Sequence, residues 1–428
     1  MISIYFDESG NTGSIKKSSS YDSQPYFAYS AYAVKNEDKL NIFQKYREFI
    51  DKYKDLQDTT GEIKGNILLT KRANKALEYF IDNFVNEDMF INIYSKDYYI
   101  STLFCFLILG QRYQLTYTTE FYTLAGELSK EKKFIESFIR FIEDKTKEKL
   151  DNVINIVKKI DYVQNKYSLN KLLNDILQDD IIIYIDNTFE ILTTYENPNL
   201  ANVVNIPCFG ELYYIIEKEI PRKNITKIQI DRINQIDNEI TSLFKKVYNK
   251  EVIVDKTEQD KLEKTFLDIS DNIVSIFLKL CRRIWEDINS KNLTTYTWEM
   301  TIFKKIMDKV PLKNIKLTVR KEEYIPILAF YNMQKENLEF NFSNILDSHF
   351  IALKKWEYIN RLESEKLDNY IKNNFNLWWY YLQNYKIVAT FNLRLRLFFR
   401  PNRLIWVYPY RTKSNPTKST IKMSVIHV

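Results

Sequence analysis

Three aspartates, remote from one another in the chain, occupy the same kind of position. Asp7 ends the apolar run Ile2–Phe6, Asp231 ends NITKIQI (224–230), and Asp271 falls on the apolar face of a helix predicted over 268–288. If the two strands are neighbours and the helix packs on their sheet, the three carboxylates converge. Clustered acids repel one another unless a cation neutralises them. Oxygen donors of this kind suit Mg²⁺ or Mn²⁺, and a pair of such ions can activate water and stabilise a leaving oxygen in phosphodiester cleavage. The chain has only two histidines, His349 and His427, so a Ser-His-Asp triad or a histidine-rich metal site lacks its ingredients. His349 reads as a structural helix residue.

Each acid also has a plainer reading. An acid after a strand is often a turn residue. Asp271, placed near the start of its predicted helix, would suit the helix dipole wherever it faced. Asp231 is followed by Asp237 and Glu239 on a solvated helix. Glu62 and Lys64, in GEIKG (61–65), could be a surface ion pair. The combination favours the functional reading. Glycine placement adds to it: four of the seven glycines, Gly10, Gly13, Gly61 and Gly65, lie beside these residues.

The elements that must position the acids are legible in outline. Ile2–Phe6, 26–34 and 89–97 read as strands, and 38–53 and 71–85 as helices. Residues 100–205 read as mostly helical, with Phe134, Ile135, Phe138, Phe141 and Ile142 as one apolar stripe. DDIIIYIDN (179–187) fits a strand or a buried helix turn. A helix over 211–219 precedes the strand ending in Asp231, another runs to Leu243, and 252–264 is polar. On the helix over 268–288, Asp271, Val274, Leu278, Cys281 and Trp285 share a face.

The residues also resemble a known family. YFDESGNTG (5–13) resembles the opening motif of the domain-of-unknown-function family 3800. GEIKGN (61–66) resembles its second motif, and KIQID (227–231) its later strand ending in aspartate. LDISDNIVS (267–275) resembles its closing motif, with Ser270-Asp271 in the Ala-Asp place and Asp268 where the motif has Gln. The resemblance covers roughly 1–100 and 205–288. It implies an α/β fold with a ribonuclease H-like mixed sheet flanked by helices. Outside the resemblance, 101–204 reads as a helical insertion and 289–428 as a C-terminal α+β basic domain. The resemblance implies Asp7, Glu8, Asp231 and Asp271 as candidate metal ligands for Mg²⁺ or Mn²⁺. Glu62 would be a nearby acid and Lys64 a phosphate-facing cation. The implied function is a metal-dependent nuclease in prokaryotic phage defence or a mobile element, with a protein partner from the same system. The Asp268 departure supports the alternative of an inactive scaffold or regulatory subunit. A third reading is a nucleic-acid binder that does not cleave.

The remaining composition bounds these readings. At 428 residues the chain exceeds a single ordinary core, so two or three domains are expected. Three scattered cysteines argue against disulfides or structural zinc and fit a reducing cytoplasm. Asp7 and Glu8 interrupt any leader, and LFCFLILG (103–110) is too short to cross a bilayer. Ten cations and no acid follow Asp368. Within them, NLRLRLFFRPNRLIWVYPYRTK (392–413) interleaves Arg394, Arg396, Arg400, Arg403, Arg411 and Lys413 with aromatic residues. Those are the ingredients of single-strand RNA or DNA binding. An amphipathic strand with a solvated basic face, or a face for an acidic protein partner, fits the same pattern. WWYYL (378–382) reads as core.

Overall fold

The computed structural model describes residues 1–10, 24–105, 119–178, 204–231, 241, 245, 251–254, 261–289, 298–324 and 327. Six strands form one mixed sheet: β1 (Ile2–Ser9), β2 (Tyr26–Lys35), β3 (Met89–Ser95), β4 (Ile225–Ile230), β5 (Ile253–Val254) and β6 (Ile315–Thr318). Their spatial order is β5-β4-β1-β2-β3-β6. β1 pairs antiparallel with β2, and β2 with β3; β4 runs parallel to β1, β5 to β4, and β6 to β3. The carboxyl ends of β1 and β4 therefore lie side by side. The central strands are aromatic and β-branched along nearly their whole length because helices cover both faces of the sheet.

The helices are α1 (Lys39–Lys52), α2 (Gly65–Leu68) and α3 (Asn74–Phe84) before β3. α4 (Lys96–Phe104), α5 (Thr119–Leu128), α6 (Lys132–Glu143), α7 (Lys147–Val157), α8 (Asp161–Gln164), α9 (Tyr167–Gln178) and α10 (Asn205–Glu219) lie between β3 and β4. α11 (Lys261–Asn289) and α12 (Trp298–Lys309) precede β6. Two apolar cores result. Ile4 and Phe6 of β1 meet α4 to α10 on one face, and Tyr5 meets α1, α3, α11 and α12 on the other. This is the period-two alternation of a strand. The predicted stripe on α6 is buried in the first core.

Two helix boundaries differ from the sequence expectation. α10 begins at Asn205 rather than after Pro207, because proline is tolerated in a helix's first turn. α11 begins at Lys261, so Asp271 stands beyond its first turn and the dipole argument for that residue falls away. The charged residues that read as a polar linker find distant partners. The Glu263 carboxylate accepts from the Tyr5 hydroxyl at 2.5 Å and pairs with Lys39 at 3.1 Å and Lys227 at 2.8 Å. One acid thereby ties α11 to β1, α1 and β4.

The segment 179–187, the helix expected to Leu243 and the chain from 328 onward lie outside the described residues. That last stretch holds His349, the WWYYL cluster and the whole arginine-rich segment. No described helix is long and apolar enough to cross a membrane. All three cysteines are buried and unpaired.

Candidate functional site

Asp7 is the sixth residue of β1, and its side chain is only 8% exposed. Its cross-strand partner is Ser30 on β2. The Ser30 hydroxyl donates to the Ser270 carbonyl at 2.7 Å and lies 2.6 Å from the Ser270 hydroxyl, which in turn reaches the Tyr5 carbonyl at 3.3 Å. These bonds fix the axial position of α11 on the sheet and bring the next residue, Asp271, to Asp7. Asp231 arrives by another route: its amide donates to the Phe6 carbonyl at 3.3 Å, one step past the β1/β4 ladder. Three remote segments thus deliver the three predicted aspartates to one end of the sheet.

The electrostatics record that convergence. Burial first, then the charges of Asp271, Glu8 and Asp231, push the Asp7 carboxyl well above the usual carboxylate range. Only the Glu8 amide, donating to Asp7 Oδ1 at 2.7 Å, works the other way. Among the described residues no lysine or arginine forms an ion pair with Asp7. Burial also raises Asp271, against the opposing pull of Lys64, while Glu62 and Asp231 add to the rise.

GEIKG supplies the cation. Asp58 Oδ1 accepts from the Thr60 and Glu62 amides at 2.8 and 3.1 Å, and Gly61 takes a φ of 82°, which suits a residue without a side chain. This turn presents Glu62, and Lys64 Nζ then bridges Glu62 Oε2 at 2.6 Å and Asp271 Oδ2 at 3.2 Å. Gly65 makes the approach possible: a Cβ there would stand 2.9 Å from the Asn272 carbonyl and 3.0 Å from the Ser275 Cβ. Although burial disfavours its charge, Asp271 and Glu62 hold the Lys64 ammonium above its ordinary pKa.

Two residues of this network were not singled out as site residues from sequence. Lys264 pairs with Glu62 and, at 2.8 Å, with Asp268. The Lys264–Asp268 spacing of four is a signal the sequence carries; the Glu62 partner, 202 residues away, is not. Asp268, the departure from the family motif, is therefore seated in an ion pair. Burial still pushes its carboxyl up to about 6, against the pull of Lys264. Glu62, despite burial, is held below its usual range by Lys264 and Lys64.

Glu8 is placed differently from Asp7. Its cross-strand partner is Tyr29, on the face of Phe6 and α10, so adjacent acids belong to opposite faces of the sheet. Tyr29 donates its hydroxyl to Asn205 Oδ1, and after burial the Glu8 charge is the next cause of its raised pKa. Arg394, Arg396, Arg400, Arg403, Arg411 and Lys413 lie outside the described residues.

Oxygen donors from Asp7, Asp231 and Asp271 have the chemistry that Mg²⁺ or Mn²⁺ requires. Among the described residues, however, no group of three acid, histidine or cysteine side chains stands ready to hold a metal ion. The acids form a like-charged gathering rather than a closed cage. No family model matches the chain, and no curated protein or solved structure matches it.

Proposed function

We propose that this protein is a divalent-metal-dependent nuclease with a ribonuclease H-like sheet, acting at the carboxyl ends of β1 and β4. One observation carries the reading. Asp7 is buried among other acids, with no described cation paired to it, at the edge where Asp231 and Asp271 also arrive. Such a group is unfavourable unless a cation joins it or the carboxyl keeps its proton. The mixed sheet flanked by helices, with its acids at one end, accords with the fold that the motif resemblance implies. The defence role, and a protein partner encoded with it, rest on that resemblance alone.

Asp7, Asp231 and Asp271 would hold the ion, with Glu62 as a further acid; Glu8, expected from the sequence as another, belongs to the opposite face of the sheet. The Glu8 amide orients the Asp7 carboxylate. Bound metal would supply a Lewis acid for a phosphoryl oxygen and a lowered pKa for the attacking water. Lys64 stays protonated and is held by two carboxylates at the mouth of the site, where it can turn toward a phosphate. RNA and DNA are both compatible with this chemistry.

A second reading has its own support. Lys64 and Lys264 already pair with Glu62, Asp268 and Asp271 in one ion-pair network. That network favours an inactive scaffold or a binder without cleavage. Metal titration separates the readings. If the nuclease reading holds, Mg²⁺ or Mn²⁺ raises the wild-type Tm, a ligand at about 100 times its Kd adding about 2.7 kcal/mol. Asp7→Asn abolishes the rise, and labelled RNA or DNA is cut only by the wild type. An unchanged Tm across metal concentrations rejects the nuclease.

A further inference from the structure

An open cavity of about 480 Å³ lies between α2, α11 and α12. It is lined by Asn66, Leu69, Lys279, Arg282, Arg283 and Glu299, three cations against one carboxylate. None of the three cations has an ion pair or side-chain hydrogen bond among the described residues, unlike Lys64 and Lys264 nearby. Lys279 and Arg282 are half-buried, so water does not fully answer them. Burial and the Arg282 charge lower the Lys279 pKa, with Asp271 acting in the opposite sense. Like charges crowded at a partly desolvated cavity leave a standing attraction for an anion.

The cavity is built on the same elements as the acid cluster. Asn66 follows Gly65 on the element that brings Lys64 to Asp271, and Lys279 and Arg282 share α11 with Asp271. At about 1.5 Å per residue, Lys279 lies roughly 12 Å beyond Asp271 along the helix axis and Arg282 roughly 16 Å. Eleven residues make just over three full turns, so Arg282 returns to the Asp271 side of the helix. A cation pair at that reach matches backbone phosphates about three to five nucleotides from the acids, taking about 3.4 Å of axis per nucleotide.

We infer that this cavity is a phosphate-binding subsite for a nucleic-acid backbone, with Lys279, Arg282 and Arg283 gripping the strand downstream of the acid cluster. The inference rests on the nuclease reading for its choice of polyanion, and it names where the strand leaves the site. Contacts to phosphate oxygens carry no sequence information, so the subsite is indifferent to sequence.

The test is fluorescence anisotropy with labelled single-stranded RNA and DNA oligonucleotides, using the full chain across a salt series in EDTA. The proteins are wild type, Asp7→Asn, and the double variant Lys279→Ala/Arg282→Ala. Both substituted cations are unpaired, so a matching thermal melt confirms that the double variant folds. Wild type and Asp7→Asn are expected to bind alike. The double variant should bind more weakly, its plot of log K against log salt shallower by about 1.4, the loss of two phosphate contacts on a single strand. An unchanged slope overturns the subsite while leaving the nuclease proposal to the metal titration. Loss of cleavage in Asp7→Asn with no change in the double variant would have the same meaning. Binding of a labelled acidic peptide by the wild type but not by the double variant, with no binding of either oligonucleotide, would overturn the subsite in favour of a protein-facing surface.

Discussion

Asp268 shows how one residue's surroundings set a measurable pH response. Its carboxyl titrates near 6 in the folded protein, raised by burial against the pull of Lys264. In an unfolded chain an aspartate titrates near 3.9. Between those values the folded state holds the proton and the unfolded state has released it. Stability therefore falls as pH rises from about 4 to about 6, and the deficit is complete above that. Asp268→Asn removes the titration but keeps an oxygen for the Lys264 ammonium. In metal-free buffer the variant should lose this part of the decline and gain on the order of 2 kcal/mol at pH 7 relative to pH 4. Urea midpoints at the two pH values would measure it; parallel wild-type and variant profiles would place the titration elsewhere. The residue itself was visible in the sequence as a departure from the motif glutamine. Its consequence was not, because the burial that raises it comes from the fold.

At the scale of elements, a close constraint is the contact of α2 with α11. Gly65→Ala would place a methyl 2.9 Å from the backbone carbonyl of Asn272, which cannot turn aside as a flexible side chain could. The variant is expected to lose about 1–3 kcal/mol by overpacking. It should also lose the Lys64–Asp271 bridge, so divalent ions should shift its Tm differently from wild type. A crystal structure or paired melts with and without Mg²⁺ would check this; a wild-type response would mean that α2 moves freely. The same contact marks what sequence could and could not convey. The strands at Ile2–Phe6 and 26–34 were legible because burial on both faces leaves an apolar and aromatic run broken only by Ser3 and Ser30. The first two turns of α11 were not, since Glu263 and Lys264 look solvated until their partners Lys227 and Glu62 are known. β5 and β6, two and four residues long, carry no period of their own and exist through pairing with β4 and β3. The gathering of Asp7, Asp231 and Asp271 was legible because each ended a strand or marked a helix face. Lys264 was not, because its role depends on a residue across the molecule.

For the molecule as a whole, the question is where the α/β unit ends. The family-like motifs stop at 288, yet the sheet continues beyond them. Ile302, Phe303, Ile306, Met307, Val310 and Ile315 are all buried in the core that α11 shares with α1 and α3. At about 1.5–3 kcal/mol each, these six side chains contribute roughly 9–18 kcal/mol before chain entropy is counted. A whole domain has a net stability of about 5–15 kcal/mol. β6 also carries Lys316, whose ammonium meets the buried Glu211 carboxylate at 2.5 Å beneath α10. Without Lys316, Glu211 would remain as an unpaired buried charge, itself a cost of about 3–5 kcal/mol. Asn314 further donates to the Glu87 and Met89 carbonyls at 2.7 and 3.1 Å, closing the β3 edge. A chain ending at Asn289 is therefore expected to expose that edge and fail to unfold cooperatively, whereas one ending at Ile327 should melt in a single transition. Circular dichroism melts of the two truncations decide it. A cooperative transition in the shorter chain would show that α12 and β6 are an attachment to a core complete without them.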